Sequence, residues 1–185
     1  MVSLRSDAFV FFGATCDLAF NEIFPALQAM VRHGRLDMPV IGVAKSGWNL
    51  DQLKARACDS VKNHGGLDAD AFAKLCRQFR YIDGDYEDGA TFARLRQTLG
   101  NAARPIHYLA IPPSMFGKVA EGLARSGCAE NARIIVEKPF GRDLESAQSL
   151  NQILHKFYSA SSIWRIDHFL GKEPVQNLLY FRFAN

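Results

Sequence analysis

No apolar run in the sequence approaches the ~18 residues needed to cross a bilayer. The densest early stretch, Ala8-Phe9-Val10-Phe11-Phe12, is far too short. It follows Asp7 and carries no cleavage pattern, so it does not read as a secretory signal either. Cysteine is sparse and scattered: Cys16, Cys58, Cys76 and Cys128 form no CxxC pair. The expectation is therefore reduced thiols in a cytoplasmic protein, with no metal site and no membrane contact. An excess of one charge is also missing, since 22 Lys+Arg stand against 19 Asp+Glu for a net charge of +3. Without a basic run, nucleic acid is not an expected partner, whereas a small anionic ligand held by a few local cations is. The chain has no internal repeat or low-complexity tract, and its composition excludes a collagen-like, coiled-coil or mainly disordered chain.

What the 185 residues do contain is ordinary globular usage, 48% apolar and 22% charged. A chain of this length buries roughly 70% of its unfolded surface and needs no disulfide or metal staple. Short apolar runs alternate with longer amphipathic stretches, a pattern that predicts βα repeats around a parallel sheet. The expected strands are residues 8–12, 40–43, 80–82, 106–110 and 133–136. Helices are expected over 21–31, 51–62, 69–79, 90–99, 113–125 and 144–157. Phe116, Val119, Ala120 and Leu123 form one apolar stripe, and Leu144, Ala147, Leu150, Ile153 and Leu154 form another. Gly34, Gly100 and Gly127 stand where helices end. The apolar run Leu178-Leu179-Tyr180-Phe181-Arg182-Phe183 comes two residues before the last residue, which reads as a truncated chain whose second domain is missing.

Four segments carry chemistry. Gly13-Ala14-Thr15-Cys16-Asp17-Leu18-Ala19 lies at a strand-to-helix turn, where a glycine and a helix N-terminus can receive a pyrophosphate. It is an incomplete fingerprint, and it also reads as a tight βα turn capped by Thr15 or Asp17. The second strand runs into Lys45 with no acid after it, which suits the 2′-phosphate of NADP better than the ribose hydroxyl of NAD, although a solvated surface lysine would look the same. Lys138 stands at the end of the fifth strand, and the Pro139 after it permits a cis bond that would aim the lysine into the crevice. Finally, Arg165-Ile166-Asp167-His168-Phe169-Leu170-Gly171-Lys172-Glu173 packs five ionisable side chains into nine residues. It offers either acid–base chemistry with an anion clamp or a salt-bridged surface turn. His33, His64, His107 and His155 have no partner at catalytic or metal-ligand spacing.

Together these segments resemble the glucose-6-phosphate dehydrogenase family, whose pattern is GASGDLA, EKPFGRDL, and RIDHYLGKE followed by VQN and RFAN. Here they read GATCDLA (13–19), EKPFGRDL (137–144), RIDHFLGKE (165–173), Val175-Gln176-Asn177 and Arg182-Phe183-Ala184-Asn185. The resemblance implies an α/β fold, a Rossmann-type doubly wound parallel sheet. Residues 1–170 would form an NADP-binding domain and 171–185 the first element of a truncated catalytic and dimerisation domain of α+β type. It implies oxidation of glucose 6-phosphate at C1 in the pentose phosphate pathway, with hydride transfer to NADP, NAD being possible. The same resemblance implies homo-oligomers formed through the missing domain.

By position, Asp167 matches the carboxylate that orients the catalytic histidine. His168 and Lys172 match the residues holding the sugar 6-phosphate, and Lys138 the lysine beside the reacting hydroxyl and the coenzyme. Gly13, Ala14, Thr15, Cys16, Asp17 and Leu18 match the phosphate loop, Lys45 with Thr15 the 2′-phosphate contacts, and Ala110 and Pro112 the coenzyme-side loop. Four departures accompany the match. Cys16 replaces a glycine and is expected to crowd the pyrophosphate. Phe20-Asn21-Glu22 replaces a basic run, Phe169 replaces a tyrosine, and the general-base histidine would lie beyond Asn185. The rival expectation is a non-catalytic module, a divergent domain that binds a nucleotide weakly or serves as an interaction partner. Cys16 and Glu22 point that way, and the intact RIDH-x-LGKE points to the enzyme.

Overall fold

The computed structural model describes residues 5–167, together with Asn177 and Arg182, both helical and exposed. His168, Phe169, Lys172 and the expected domain boundary at 170/171 lie outside the described residues. Six strands form one parallel sheet: β1 (Ala8–Phe12), β2 (Val40–Ala44), β3 (Phe79–Asp83), β4 (Pro105–Leu109), β5 (Arg133–Glu137) and β6 (Ile163–Ile166). Their order is β3-β2-β1-β4-β5-β6. All of β2 is buried, and so is β1 apart from Phe9, as strands covered on both faces must be. The winding reverses at β1, which makes this a Rossmann-type doubly wound α/β fold with its crevice at the carboxyl ends of β1 and β4.

Right-handed crossovers put successive helices on opposite faces of the two halves. On one face, α1 (Phe24–Arg32), α2 (Leu50–Asn63) and α3 (Ala69–Gln78) pack on Phe11, Val40 and Phe79. On the other, α4 (Gly89–Leu99), α5 (Phe116–Arg125) and α6 (Leu144–Phe157) pack on Phe12, Ile41, Ile134 and Val136. The predicted stripe of α5 is fully buried, whereas in α6 Leu154 alone is. Gly34, Gly100 and Gly127 all take positive φ at helix ends.

Two local features differ from expectation. The first helix begins at Asp17 and opens into a π-helical turn, Ala19–Ile23, before α1. Pro25 is the cause: inside a helix it has no N–H to give and its ring displaces the carbonyl four residues back. The Phe20 carbonyl in this turn accepts the Ser60 hydroxyl instead. The second feature is β6, which extends the sheet beside β5 where the sequence showed only a charged cluster.

Half of one sheet face carries no helix among the described residues. Ile106, Tyr108, Ile135 and Ile166 floor a groove of about 850 Å3 walled by Ile23, Leu27 and Met30. Trp164, in register with Ile135 on that face, is 54% exposed. No described helix is long and apolar enough to cross a membrane.

Candidate coenzyme and sugar-phosphate site

The loop after β1 is built from its glycine outward. Gly13 has φ +81°, and a Cβ there would collide with the Ala110 carbonyl oxygen at the end of β4. The glycine is thus required by the approach of two protein strands. Its N–H is shared between the Val43 carbonyl and the Tyr86 hydroxyl, each at 2.9 Å, and the Ala14 N–H reaches the same carbonyl at 3.2 Å. Tyr86 in turn donates to Val43 at 3.0 Å, and burial pushes its phenol up to about 12. These bonds pin the loop onto β2 and leave the helix start, from Thr15 onward, facing the crevice.

Neither Thr15 nor Asp17 caps that helix among the described residues. Cys16 does so: its sulfur accepts the Ala19 N–H at 3.4 Å, and its thiol donates to the Ala110 carbonyl at 3.6 Å. Asp17 projects into solvent and meets Arg56 at 3.5 Å. Arg56 itself lies over the rings of Phe20 and Trp48, 4.8 and 5.8 Å from their centroids. Pro112 is exposed and opens the 3-10 turn Pro113–Met115 beyond Ala110.

At the end of β2 the structure adds what the linear reading lacked. Lys45 does follow the strand directly, but its ammonium sits 2.6 Å from Asp85 Oδ2. Acid therefore does reach this position, carried in by the neighbouring strand. The hydrogen bond raises the Lys45 pKa and holds the Asp85 carboxyl below its usual range. Asp83, the last residue of β3, accepts the N–H groups of Ser46 and Gly47 at 2.8 and 2.9 Å. The Ser46 bond in particular keeps its carboxyl low.

Beyond β5, the Lys138–Pro139 peptide is cis, and the Lys138 ammonium lies 3.0 Å from Asp167 Oδ2 at the end of β6. The two expected sugar-side residues thus meet across adjacent strand ends. Glu137, just before Lys138, is buried and accepts the Tyr108 hydroxyl. Burial, reinforced by Glu137, pushes the Tyr108 phenol far above its ordinary value. Glu22 is exposed and lines the groove with Tyr108, which feels its charge. Sequence reasoning missed Asp85, Tyr86 and Glu137. Only Glu137 had a local signal, an acid directly after the apolar run Ile134-Ile135-Val136.

Comparison with known proteins agrees with this geometry. A family model described as "Glucose-6-phosphate dehydrogenase, NAD binding domain" matches residues 10–177. Glucose-6-phosphate 1-dehydrogenase 1 of Mycobacterium tuberculosis is 42% identical over 180 residues, which is 97% of this chain and 39% of the relative. The Saccharomyces cerevisiae glucose-6-phosphate 1-dehydrogenase is 39% identical over 188 residues, 94% of this chain and 37% of its own. The crystal structure of the Mycobacterium avium enzyme superposes with a TM-score of 0.88 at 43% identity, covering 97% of this chain and 40% of that one. A glucose-6-phosphate dehydrogenase in complex with glucose 6-phosphate gives 0.86 at 33% identity, covering 100% of this chain and 41% of that one. The chain therefore spans about two fifths of the length of these relatives. With the Gly13–Ala19 turn, the Lys138–Asp167 pair and the Rossmann-type sheet in the matched span, this chain belongs to the glucose-6-phosphate dehydrogenase family through its NAD-binding domain.

Proposed function

We propose that the protein oxidises glucose 6-phosphate at C1 to 6-phosphogluconolactone, and that these residues form the coenzyme side of that site with NADP as the preferred coenzyme. The Lys138–Asp167 pair carries the reading. It joins the ends of β5 and β6 on the crevice that the phosphate loop also faces, as a site bringing sugar and coenzyme together requires. The donor set suits a dinucleotide: a helix start without an oxygen cap for the pyrophosphate, and the Lys45 cation for the 2′-phosphate. When bound, the nicotinamide would supply the hydride acceptor. Lys138 would hold a sugar hydroxyl near C1, and Asp167 keeps the lysine oriented. The same carboxylate is the residue proposed to orient the catalytic base, while His168 and Lys172 would take the 6-phosphate. Glu22, a negative charge on the groove wall, favours a second reading, a module that binds the nucleotide without turnover.

Calorimetric titration with NADP and NAD, followed by absorbance assay of NADPH with glucose 6-phosphate, separates these readings. The purified 185-residue polypeptide is expected to bind NADP more tightly than NAD, and Lys45→Ala to remove most of that preference. Turnover of glucose 6-phosphate is expected to fall ~10²–10⁴-fold in Asp167→Asn, the scale of the general-base step this carboxylate is proposed to support. Dinucleotide binding with no turnover would favour the second reading. Equal affinity for NAD and NADP before mutation would overturn the role of Lys45.

A further inference from the structure

We propose that Asp85 is a coenzyme-selectivity residue: its carboxylate restrains Lys45 from a ribose 2′-phosphate and offers an acceptor to a ribose 2′-hydroxyl. The inference rests on the dinucleotide reading above and extends it to a residue outside the motifs that carry the family resemblance. Folds that bind NAD place an acid at the end of the second strand, where it accepts the 2′-hydroxyl and repels a phosphate. Here that place is held by Lys45, and the acid comes from two residues past β3.

The carboxylate is oriented from behind. Asp85 Oδ1 accepts the Glu87 N–H at 2.9 Å, which turns Oδ2 to the Lys45 ammonium at 2.6 Å. Both heads remain open to the crevice, with side-chain exposures of 72% for Lys45 and 38% for Asp85. An arriving 2′-phosphate meets a cation whose charge is already matched, and a carboxylate beside it that opposes a second anion. A 2′-hydroxyl meets no such conflict, since it can donate to Asp85 while accepting from Lys45. Lys45 therefore sets the direction of preference and Asp85 limits its size. Neighbouring charges do not share this role: Glu87 is engaged by Lys118, and Asp83 is fixed on the Ser46 and Gly47 amides.

The test is the ratio of NAD to NADP dissociation constants, measured by calorimetry on the full chain and on three variants. Asp85→Asn retains an acceptor for the Glu87 amide and removes the charge. It is expected to tighten NADP, weaken NAD and raise the ratio by about tenfold, the scale of one charge-assisted hydrogen bond. Glu87→Gln removes the same charge two residues away and is expected to change the ratio far less. In Lys45→Ala combined with Asp85→Asn, the gain for NADP should vanish, since it acts through the lysine. A ratio that Asp85→Asn leaves unchanged, or that Glu87→Gln moves equally, overturns the role of Asp85 while the coenzyme reading stands. Failure of the unmodified chain to bind either dinucleotide overturns both.

Discussion

His107 sits in the middle of β4 with no exposed surface, its ring 6.5 Å from that of Phe12, and neither nitrogen has a hydrogen-bond partner among the described residues. Burial alone drives its pKa down to about 3 from 6.5. The unfolded chain therefore takes up a proton in that interval that the folded chain refuses. Stability falls as pH drops from about 6.5 towards 3. Urea midpoints measured at steps across this window should show that slope, and His107→Phe should flatten it. An unchanged slope would assign the loss to other groups. Gly13 offers a second contrast. Gly34→Ala meets open space and only the left-handed backbone penalty, about 1–2 kcal/mol. Gly13→Ala adds a collision with the Ala110 carbonyl, so its thermal midpoint should fall well below that of the Gly34 variant. Equal losses would mean that β4 can yield. Cys16 shows how far a residue identity can be read alone: a side chain where glycine is usual was legible, whereas its use as the cap on Ala19 depended on the course of β4.

At the scale of elements, α2 depends on its entry. The Asn49 side chain accepts the Gln52 N–H at 3.0 Å, and the Gln52 side chain accepts the Asn49 N–H at 2.9 Å. Asn49→Ala should cost about 1 kcal/mol of unfolding free energy in denaturant titration, and a loss no larger than that of Gln52→Ala would deny the cap its role. The loop just before this cap carries Lys45, so the entry of α2 and the Lys45–Asp85 pair are held by one turn. Strands β1 to β5 and the six α-helices were legible from the sequence to within a few residues because their apolar spacing follows a single period. β6 was not, because an edge strand with Trp164 and Arg165 exposed has no continuous apolar run. The π-helical turn was signalled only by Pro25. The Lys45–Asp85 pair was out of reach for a different reason, since its partners lie forty residues apart and meet only because β2 and β3 are neighbours.

On the scale of the whole molecule, the sheet order separates the crevice at the strand ends from the half-face that no described helix covers. The crevice lies at strand ends, where loops from β1, β2 and β3 are cross-linked through Asp83, Asp85 and Tyr86. The half-face lies across the flank of β4 to β6. The chain has two tryptophans, and they divide between these regions: Trp48 beside Arg56 near the crevice, Trp164 on the half-face. The molecule thus holds two intrinsic fluorophores with separate duties. In Trp164→Phe, emission comes from Trp48 and should be quenched or shifted as NADP is added. In Trp48→Phe, the red-shifted emission of solvent-facing Trp164 should ignore the coenzyme and move to the blue when an apolar surface covers β4 to β6. A Trp164 signal that followed NADP would show the two regions to be coupled, so one lamp would be lit by the other's ligand.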